Sequence, residues 1–459
     1  MRSLEDTIAA LATPPGEGGI CVVRVSGPEA ASLGRAVLRD RGGEALQLEP
    51  WTVRWTRVWD PRRGVPLDEA LSLWMPGPSS YTREDVLEIQ CHGGPAGPAV
   101  LDALLFSGAR LAEPGEFTLR AYLRGRVDLL QAEAVLDVVR ARTDAALKVH
   151  EELLGGALSR DVEQWQQALG HGLARLEAHL DFPEDDLGDL DETHTAQALT
   201  PVVAAMEGKL STYSWGRTLR DGYTVALVGA PNTGKSSLLN RLLEEDRAIV
   251  SPTPGTTRDT IEAWLNALGT PIRLVDTAGL RPARDPLEEE GVRRARAAAA
   301  RADLVLLVCD GARDLRPEEI EEAERLQHQH QVRGVMNKAD LGARPCAQLA
   351  AVLGEPPLVL SALTGEGIPA LLQDLREAAG SGPRDGAGDA PLTRVRHRRA
   401  VEQALAALRR ALLVLEGGGF PEVAASEMHE ARRCLSELLG WGTPEDVLED
   451  IFSEFCIGK

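Results

Sequence analysis

Residues 223–243 read YTVALVGAPNTGKSSLLNRLL. An apolar run of strand length, a glycine-bounded turn ending in Lys235 and Ser236, and leucines at helical spacing follow one another. That order describes a buried strand opening into a helix through a phosphate-cradling loop. Gly229 and Gly234 allow successive backbone N–H groups to face phosphate oxygens. Lys235 then reaches the outer phosphates and the Ser236 hydroxyl ligates Mg²⁺. Asn232, Thr233 and Ser237 belong to the same cradle.

Downstream, the strand-like runs IRLVDTAG, ADLVLLVCD, VRGVMNKAD and PLVLSAL alternate with helical segments, the rhythm of a doubly wound parallel sheet. At its end IRLV meets Asp276, Thr277, Ala278 and Gly279. The carboxylate is placed to hold Mg²⁺ through water, and the glycine to turn its N–H towards a third phosphate. Between these two motifs lies PGTTRD, whose Thr256 and Thr257 suit a loop that closes over Mg²⁺ only when that phosphate is present. Base choice is read from Asn337, Lys338 and Asp340 (NKAD). A carboxylate at Asp340 accepts both N–H bonds of the guanine edge and would be left unpaired by adenine, which favours GTP over ATP. Ser361, Ala362 and Leu363 (SAL) place a backbone N–H near guanine O6.

The chain holds only five lysines among 50 Lys+Arg, and Lys235 and Lys338 are two of them, at positions that call for a compact ammonium and not a guanidinium fork. Leu280 follows DTAG where a small signalling GTPase carries a water-orienting glutamine. Hydrolysis therefore needs another residue, a cation or a partner. Arg281 and Glu288 in the next segment are candidates, against the plainer reading of a solvated charged helix start.

The 459 residues imply about three domains. A net charge of −20 argues against broad adhesion to nucleic acid or anionic membrane, so any RNA contact must be local. RVRHRR (394–399) is one such stretch, equally readable as a surface helix start. The opening residues lack a signal-peptide core, and runs such as LVLLV (304–308) are far short of the roughly 20 residues that span a bilayer. Six scattered cysteines with no zinc spacing read as reduced, cytoplasmic thiols.

Residues 1–119 mix short apolar runs with turn signals, as expected of an α+β domain. Residues 120–220 turn helical, with Leu158, Val162, Trp165, Leu169, Leu173, Leu176 and Leu180 lining one face. The α/β domain occupies 221–379. SGPRDGAGDAP (381–391) reads as a linker, and helical periodicity returns within 380–459. The simplest arrangement is a helical bundle into which the α/β domain is inserted. The acidic run DFPEDDLGDLDE (181–192) reads as a solvated loop.

Outside the nucleotide motifs, DTIAALATPPGEGG (6–19), RVSG (24–27), YTREDVLEIQCHGG (81–94), PGEFTLRAYLRGRVDLLQAEAV (114–135), DFPEDD (181–186) and FCIGK (455–459) make the chain closely resemble the MnmE (TrmE) family of bacterial tRNA-modification GTPases over essentially its whole length. The resemblance implies a homodimer with an N-terminal domain that dimerises and binds 5-formyl- or 5,10-methylene-tetrahydrofolate. It also implies a helical domain with an inserted GTPase, and an FAD-containing partner, MnmG (GidA), in a heterotetramer or larger assembly. Its implied activity is addition of an aminomethyl or carboxymethylaminomethyl group to carbon 5 of the wobble uridine of certain tRNAs. Carried over by motif, the folate contacts are Arg24, Glu88, Arg126 and Lys459, with Arg126 standing where some relatives have lysine. Glu17 replaces a common arginine and is given no role.

In the GTPase domain the resemblance implies K⁺ held by Asn232 and by the backbone carbonyls of Ser251, Thr253 and Thr256, with Mg²⁺ on Ser236 and Thr257. It makes Glu288 the water-orienting acid and places Arg281 in the switch segment. Two readings of Cys456 stay open, a reactive thiol of the modification chemistry or a tail cysteine. CIGK does not suit prenylation, and His92 in CHGG reads as structural because no nucleophile elbow accompanies it. The rival to the whole scheme is a ribosome- or RNA-associated GTPase switch without folate chemistry.

Overall fold

The computed structural model describes residues 5–14, 16–181, 192–245, 262–276, 299–342, 344, 346–380 and 390–459. The chain forms two compact units, residues 1–136 with 436–459, and residues 137–435.

The first unit is built on a seven-stranded sheet. Its elements are β1 (Ile8–Leu11), β2 (Cys21–Ser26), α1 (Ala30–Val37), β3 (Leu38–Arg39), β4 (Val53–Asp60), β5 (Val65–Met75), β6 (Val86–Cys91), α2 (Ala96–Phe106), β7 (Arg110–Leu111) and α3 (Glu116–Leu123), with strand order β3-β4-β5-β6-β2-β1-β7. Period-two alternation decides what each face holds. Val23, Val25, Leu87, Ile89, Val58 and Ala70 are buried in one core with Ala30, Leu33 and Val37 of α1 and Val100, Ala103 and Leu104 of α2. Arg24, between Val23 and Val25, and Glu88, between Leu87 and Ile89, therefore point to the other face, where they are direct cross-strand partners. The unit also takes in the chain's end. Phe452 and Phe455 join Leu129, Ala132 and Leu136 in a second core, and the Tyr122 hydroxyl donates to the Gly440 carbonyl at 2.6 Å.

The second unit starts within α4 (Leu129–Arg140) and continues through α5 (Asp144–Leu154), α6 (Ala157–Asp181), α7 (Glu192–Ser211) and α8 (Tyr213–Asp221). The expected stripe is the buried face of α6: Leu158, Val162, Trp165, Leu169, Leu173 and Leu176 are each at most 5% exposed. A six-stranded sheet follows, made of β8 (Tyr223–Val228), β9 (Glu262–Ala267), β10 (Thr270–Asp276), β11 (Leu304–Asp310), β12 (Val332–Asn337) and β13 (Leu358–Val359) in the order β13-β12-β11-β8-β10-β9. All pairings are parallel except β9 on β10. Helices α9 (Lys235–Glu245), α10 (Pro317–Gln327), α11 (Ala347–Leu353) and α12 (Ile368–Ala378) belong to this sheet, and apolar clusters on both of its faces bury β8 completely. This is the doubly wound α/β fold.

The chain then returns to the helical segments through α13 (Val395–Glu416) and α14 (Pro421–Leu439). Lys209 of α7, 4% exposed, bonds the Asp161 carboxylate at 2.7 Å and the Ala390 carbonyl at 3.1 Å, pinning the returning backbone. Arg394 reaches the buried Asp137 at 2.7 Å.

Candidate functional site

The nucleotide motifs converge at the carboxyl ends of β8, β11 and β12, where an open parallel sheet places a ligand crevice. Gly229 (φ 153°), Asn232 (φ 61°) and Gly234 (φ 92°) give the loop after β8 its curl. A Cβ on Gly234 would overlap the Asn337 amide, so the glycine is required by a close approach as well as by its φ. Lys235, the first residue of α9, lays its ammonium on the Gly229 and Ala230 carbonyls, both at 2.8 Å. Ser236 is half-buried; Asn232 and Ser237 are exposed. Asp276 ends β10 opposite Leu227 of β8.

Asn337 ties three motifs together. Its side-chain Nδ2 donates to the Thr233 carbonyl at 2.9 Å, and its Oδ1 accepts from the Ala362 N–H at 2.9 Å. The chain turns through the left-handed region at Lys338 (φ 70°), which sends the ammonium to the Asp310 carboxylate at 2.7 Å. Asp310 is a residue that motif reading missed. Burial pushes its carboxyl up, but the bond from Lys338 and the Ala312 N–H outweigh it and hold the group below the usual range. The Ser361 hydroxyl donates to Asp340 at 2.5 Å, fixing the carboxylate assigned to guanine. Arg241 of α9 bonds the carbonyls of Ala362 and Leu363, joining the first motif to the last. The cradle, a buried lysine and an anchored carboxylate fit a Mg²⁺-bound guanine nucleotide. Ser251, Thr253, Thr256, Thr257, Thr277, Ala278, Gly279, Arg281 and Glu288 lie outside the described residues, as does the side chain of Asp276.

The second candidate site lies on the other face of the first unit's sheet, beside a smaller core of Ile8, Ala10, Ala112 and Phe117. Arg24 Nε bonds Glu88 at 2.9 Å, and its Nη1 reaches the Gly458 carbonyl at 3.1 Å. Arg24 and Arg126 both place their guanidinium carbons against the Tyr81 ring, 5.9 and 5.4 Å from its centroid. The Tyr81 hydroxyl is 2.9 Å from Thr118 Oγ1. Burial raises its pKa against the pull of Thr118, Arg24 and Arg126, so the ring stays a neutral phenol. Arg126 also donates to the Ser80 carbonyl at 2.9 Å. The tail reaches this site because Ile457 bridges Pro114 and Gly458 lies where any Cβ would overlap the Leu11 carbonyl, leaving Lys459 half-buried and Cys456 exposed. Arg24, Glu88, Arg126 and the tail thus meet around Tyr81, which the motif reading left out although YTRED contains it. A carboxylate, an aromatic face and cations fit a pterin with an anionic tail.

Other motif residues have structural work. Arg120, fully buried, bonds Asp6 at 2.6 Å, Glu116 at 2.9 Å and Glu84 at 3.3 Å, and Ser26 of RVSG donates to Glu84 at 2.7 Å. His92, 72% exposed, is fastened to Asp68 by its ring Nδ1 at 2.8 Å and its backbone N–H at 2.7 Å. In RVRHRR, Arg394 and His397 are buried and Arg398 lies 5.0 Å from the Tyr213 ring centroid, which spends much of that stretch on packing.

Among the described residues no helix is long and apolar enough to cross a membrane. Residues 7–126 match the family described as GTP-binding protein TrmE N-terminus, and residues 129–456 match MnmE helical domain. The tRNA modification GTPase MnmE of Symbiobacterium thermophilum is 45% identical over 99% of this chain and 100% of its own length. That of Moorella thermoacetica is 44% identical, again over 99% and 100%. The G domain of the T. maritima FeoB iron transporter is similar over 34% of this chain and 98% of its own, at 29% identity and a TM-score of 0.27, so the assignment rests on the full-length relatives. With both domain families and the full length matched, the chain belongs to the MnmE (TrmE) family of tRNA modification GTPases.

Proposed function

We propose that this GTPase drives a tetrahydrofolate-dependent modification of tRNA. With the FAD-containing partner MnmG (GidA), it adds an aminomethyl or carboxymethylaminomethyl group to carbon 5 of the wobble uridine, acting in the cytoplasm as a homodimer that joins MnmG in a heterotetramer or larger assembly. The observation that supports the folate part is the meeting of Arg24, Glu88, Arg126 and the C-terminal tail around Tyr81. A bound 5-formyl- or 5,10-methylene-tetrahydrofolate supplies the one-carbon unit. Glu88, oriented by Arg24, accepts from the pterin edge, while Arg126 and Lys459 meet the anionic glutamate tail. Cys456 stands at the rim as an exposed thiol.

In the second unit Lys235 and the Gly229–Gly234 loop hold the phosphates, Ser236 and Thr257 take Mg²⁺, and Asp340 selects guanine. Glu288 orients the hydrolytic water and Arg281 serves the switch segment. Asn232, with Ser251, Thr253 and Thr256, holds K⁺, whose charge stands in for an arginine finger. Hydrolysis is then expected to run faster in K⁺ than in Na⁺ at equal ionic strength.

The test is nucleoside mass spectrometry of tRNA from cells lacking the protein. Loss of the carbon-5 substituent, restored by wild type but not by Lys235→Ala or Asp340→Ala, is the expected result. An unchanged modification profile, with no redundant enzyme present, overturns the assignment. Tetrahydrofolate binding by the intact protein, lost on Arg24→Ala or Glu88→Ala, separates this reading from a GTPase switch without folate chemistry.

A further inference from the structure

The chain's charge is −20, yet residues 35–75, the β4–β5 hairpin and its approach, carry seven arginines against three aspartates and three glutamates, a local net charge of +1. Four of the eight tryptophans, Trp51, Trp55, Trp59 and Trp74, lie in or beside the same hairpin of β4 and β5. Arginines interleaved with aromatic rings are the composition of surfaces that bind unpaired nucleotides.

The register shows which face these residues serve. Trp55 pairs with Leu71, and Leu71 with Gln90; Val53 pairs with Leu73, Leu73 with Glu88, and Glu88 with Arg24. Directly opposed residues share a face, so Trp55 lies on the face that carries Arg24 and Glu88. It stands two strands and one row from Glu88, roughly 12 Å at ordinary strand spacings. Among the described residues Val53 is 56% and Leu71 42% exposed on this part of the face, and Trp55 beside them is half-buried. At its edge Arg41 and Arg57 place their guanidinium carbons 5.3 and 5.6 Å from the Trp55 ring centroid. Asp40, Arg41, Leu46, Gln47, Arg54 and Trp55 line a cavity of about 450 Å³ there. Arg54 and Arg57 are held by Glu49 and Glu69, whereas Arg41 makes no ion pair among the described residues.

We propose that Trp55, with Arg41 and Arg57, is a stacking site for an unpaired base of the tRNA substrate, next to the nucleotide being modified. The proposal rests on the folate reading of Arg24 and Glu88 for its geometry, because a one-carbon unit delivered there needs the RNA held on the same face. Stacking on an indole flanked by guanidinium groups is tolerant of base identity. Phosphate contact by Arg41 adds affinity without sequence preference.

The experiment uses the full-length protein and a tRNA anticodon stem-loop carrying 2-aminopurine beside the wobble uridine. Wild type is expected to change the 2-aminopurine emission on binding. Trp55→Ala should weaken binding by about five- to a hundred-fold and abolish that change, with Trp55→Phe keeping both in large part. Arg41→Ala, at an exposed position, should lower the slope of log K against log salt by about 0.7. GTP hydrolysis by these variants is expected to stay at the wild-type rate. Wild-type affinity and slope in both Trp55→Ala and Arg41→Ala overturn the proposal even if folate binding stands. So does a change of oligomeric state with RNA affinity intact, which would give the face to a second copy of the chain. Weakened RNA binding in a protein that binds no folate would retain the surface and discard the folate reading.

Discussion

The Asn337 side chain has two polar groups, and the structure uses both, one on the phosphate loop and one on the SAL loop. At 2% exposure neither partner has water to fall back on. Asn337→Ala leaves the Ala362 N–H and the Thr233 carbonyl without their partners, at about 1–3 kcal/mol for each group that stays buried. GTP affinity, measured by calorimetric titration, is expected to fall by roughly tenfold or more, with folate binding unchanged. Motif spacing names this asparagine, but its role as a strut, and the tether that Asp310 provides for Lys338, come from residues that are close in space and distant in the chain.

Helix α5 shows how a regular pattern can contain an irregular group. Thr143 caps it, accepting from the Ala146 N–H at 3.1 Å. Ala146, Val149, His150 and Leu153 form its buried stripe. Burial drives the His150 imidazole down to about 4; the Asp137 backbone opposes this, and the charges of Arg394 and Arg220 reinforce it. The folded state therefore keeps this histidine neutral while the unfolded chain titrates near 6.5. Below pH 6.5 the unfolded state takes up a proton that the folded state refuses, so stability falls as pH drops from 6.5 towards 4. By pH 4.5 the loss from this one group is on the order of 2–3 kcal/mol. Urea titrations at pH 7 and pH 4.5 are expected to show a correspondingly smaller pH dependence for His150→Leu, and an identical dependence in the two proteins would remove His150 as the cause.

For the whole molecule, the two candidate sites belong to different compact units and draw on different parts of the chain. The nucleotide motifs gather within 229–363, whereas the first unit brings together Arg24, Glu88, Arg126 and the final residues. Deleting Cys456–Lys459 removes the Gly458 carbonyl from Arg24 and the Lys459 cation from the rim. Tetrahydrofolate affinity is expected to drop at least tenfold while GTP affinity and the intrinsic hydrolysis rate stay at wild-type values. A parallel loss of both would tie the tail to the nucleotide site.

The doubly wound fold, the phosphate loop and the guanine motif are legible in the chain because each is a local pattern, a strand, a turn and a helix start within a few residues. The α6 stripe is legible for the same reason, since one helix repeats its apolar face every three or four residues. The use of Ser26, Glu84, Glu116 and Arg120 in a buried ionic cluster, although all four lie in family motifs, depends on which charges the fold removes from water together. The seat of Tyr81 between two arginines, and the arrival of Gly458 beside Arg24, likewise follow from strand register and chain return. Local spacing names the nucleotide motifs, whereas Arg24, Glu88, Arg126 and Lys459 are named by resemblance to the family. Only the packed structure decided which motifs share a site, because burial and long-range hydrogen bonding join residues that the linear order keeps hundreds of positions apart.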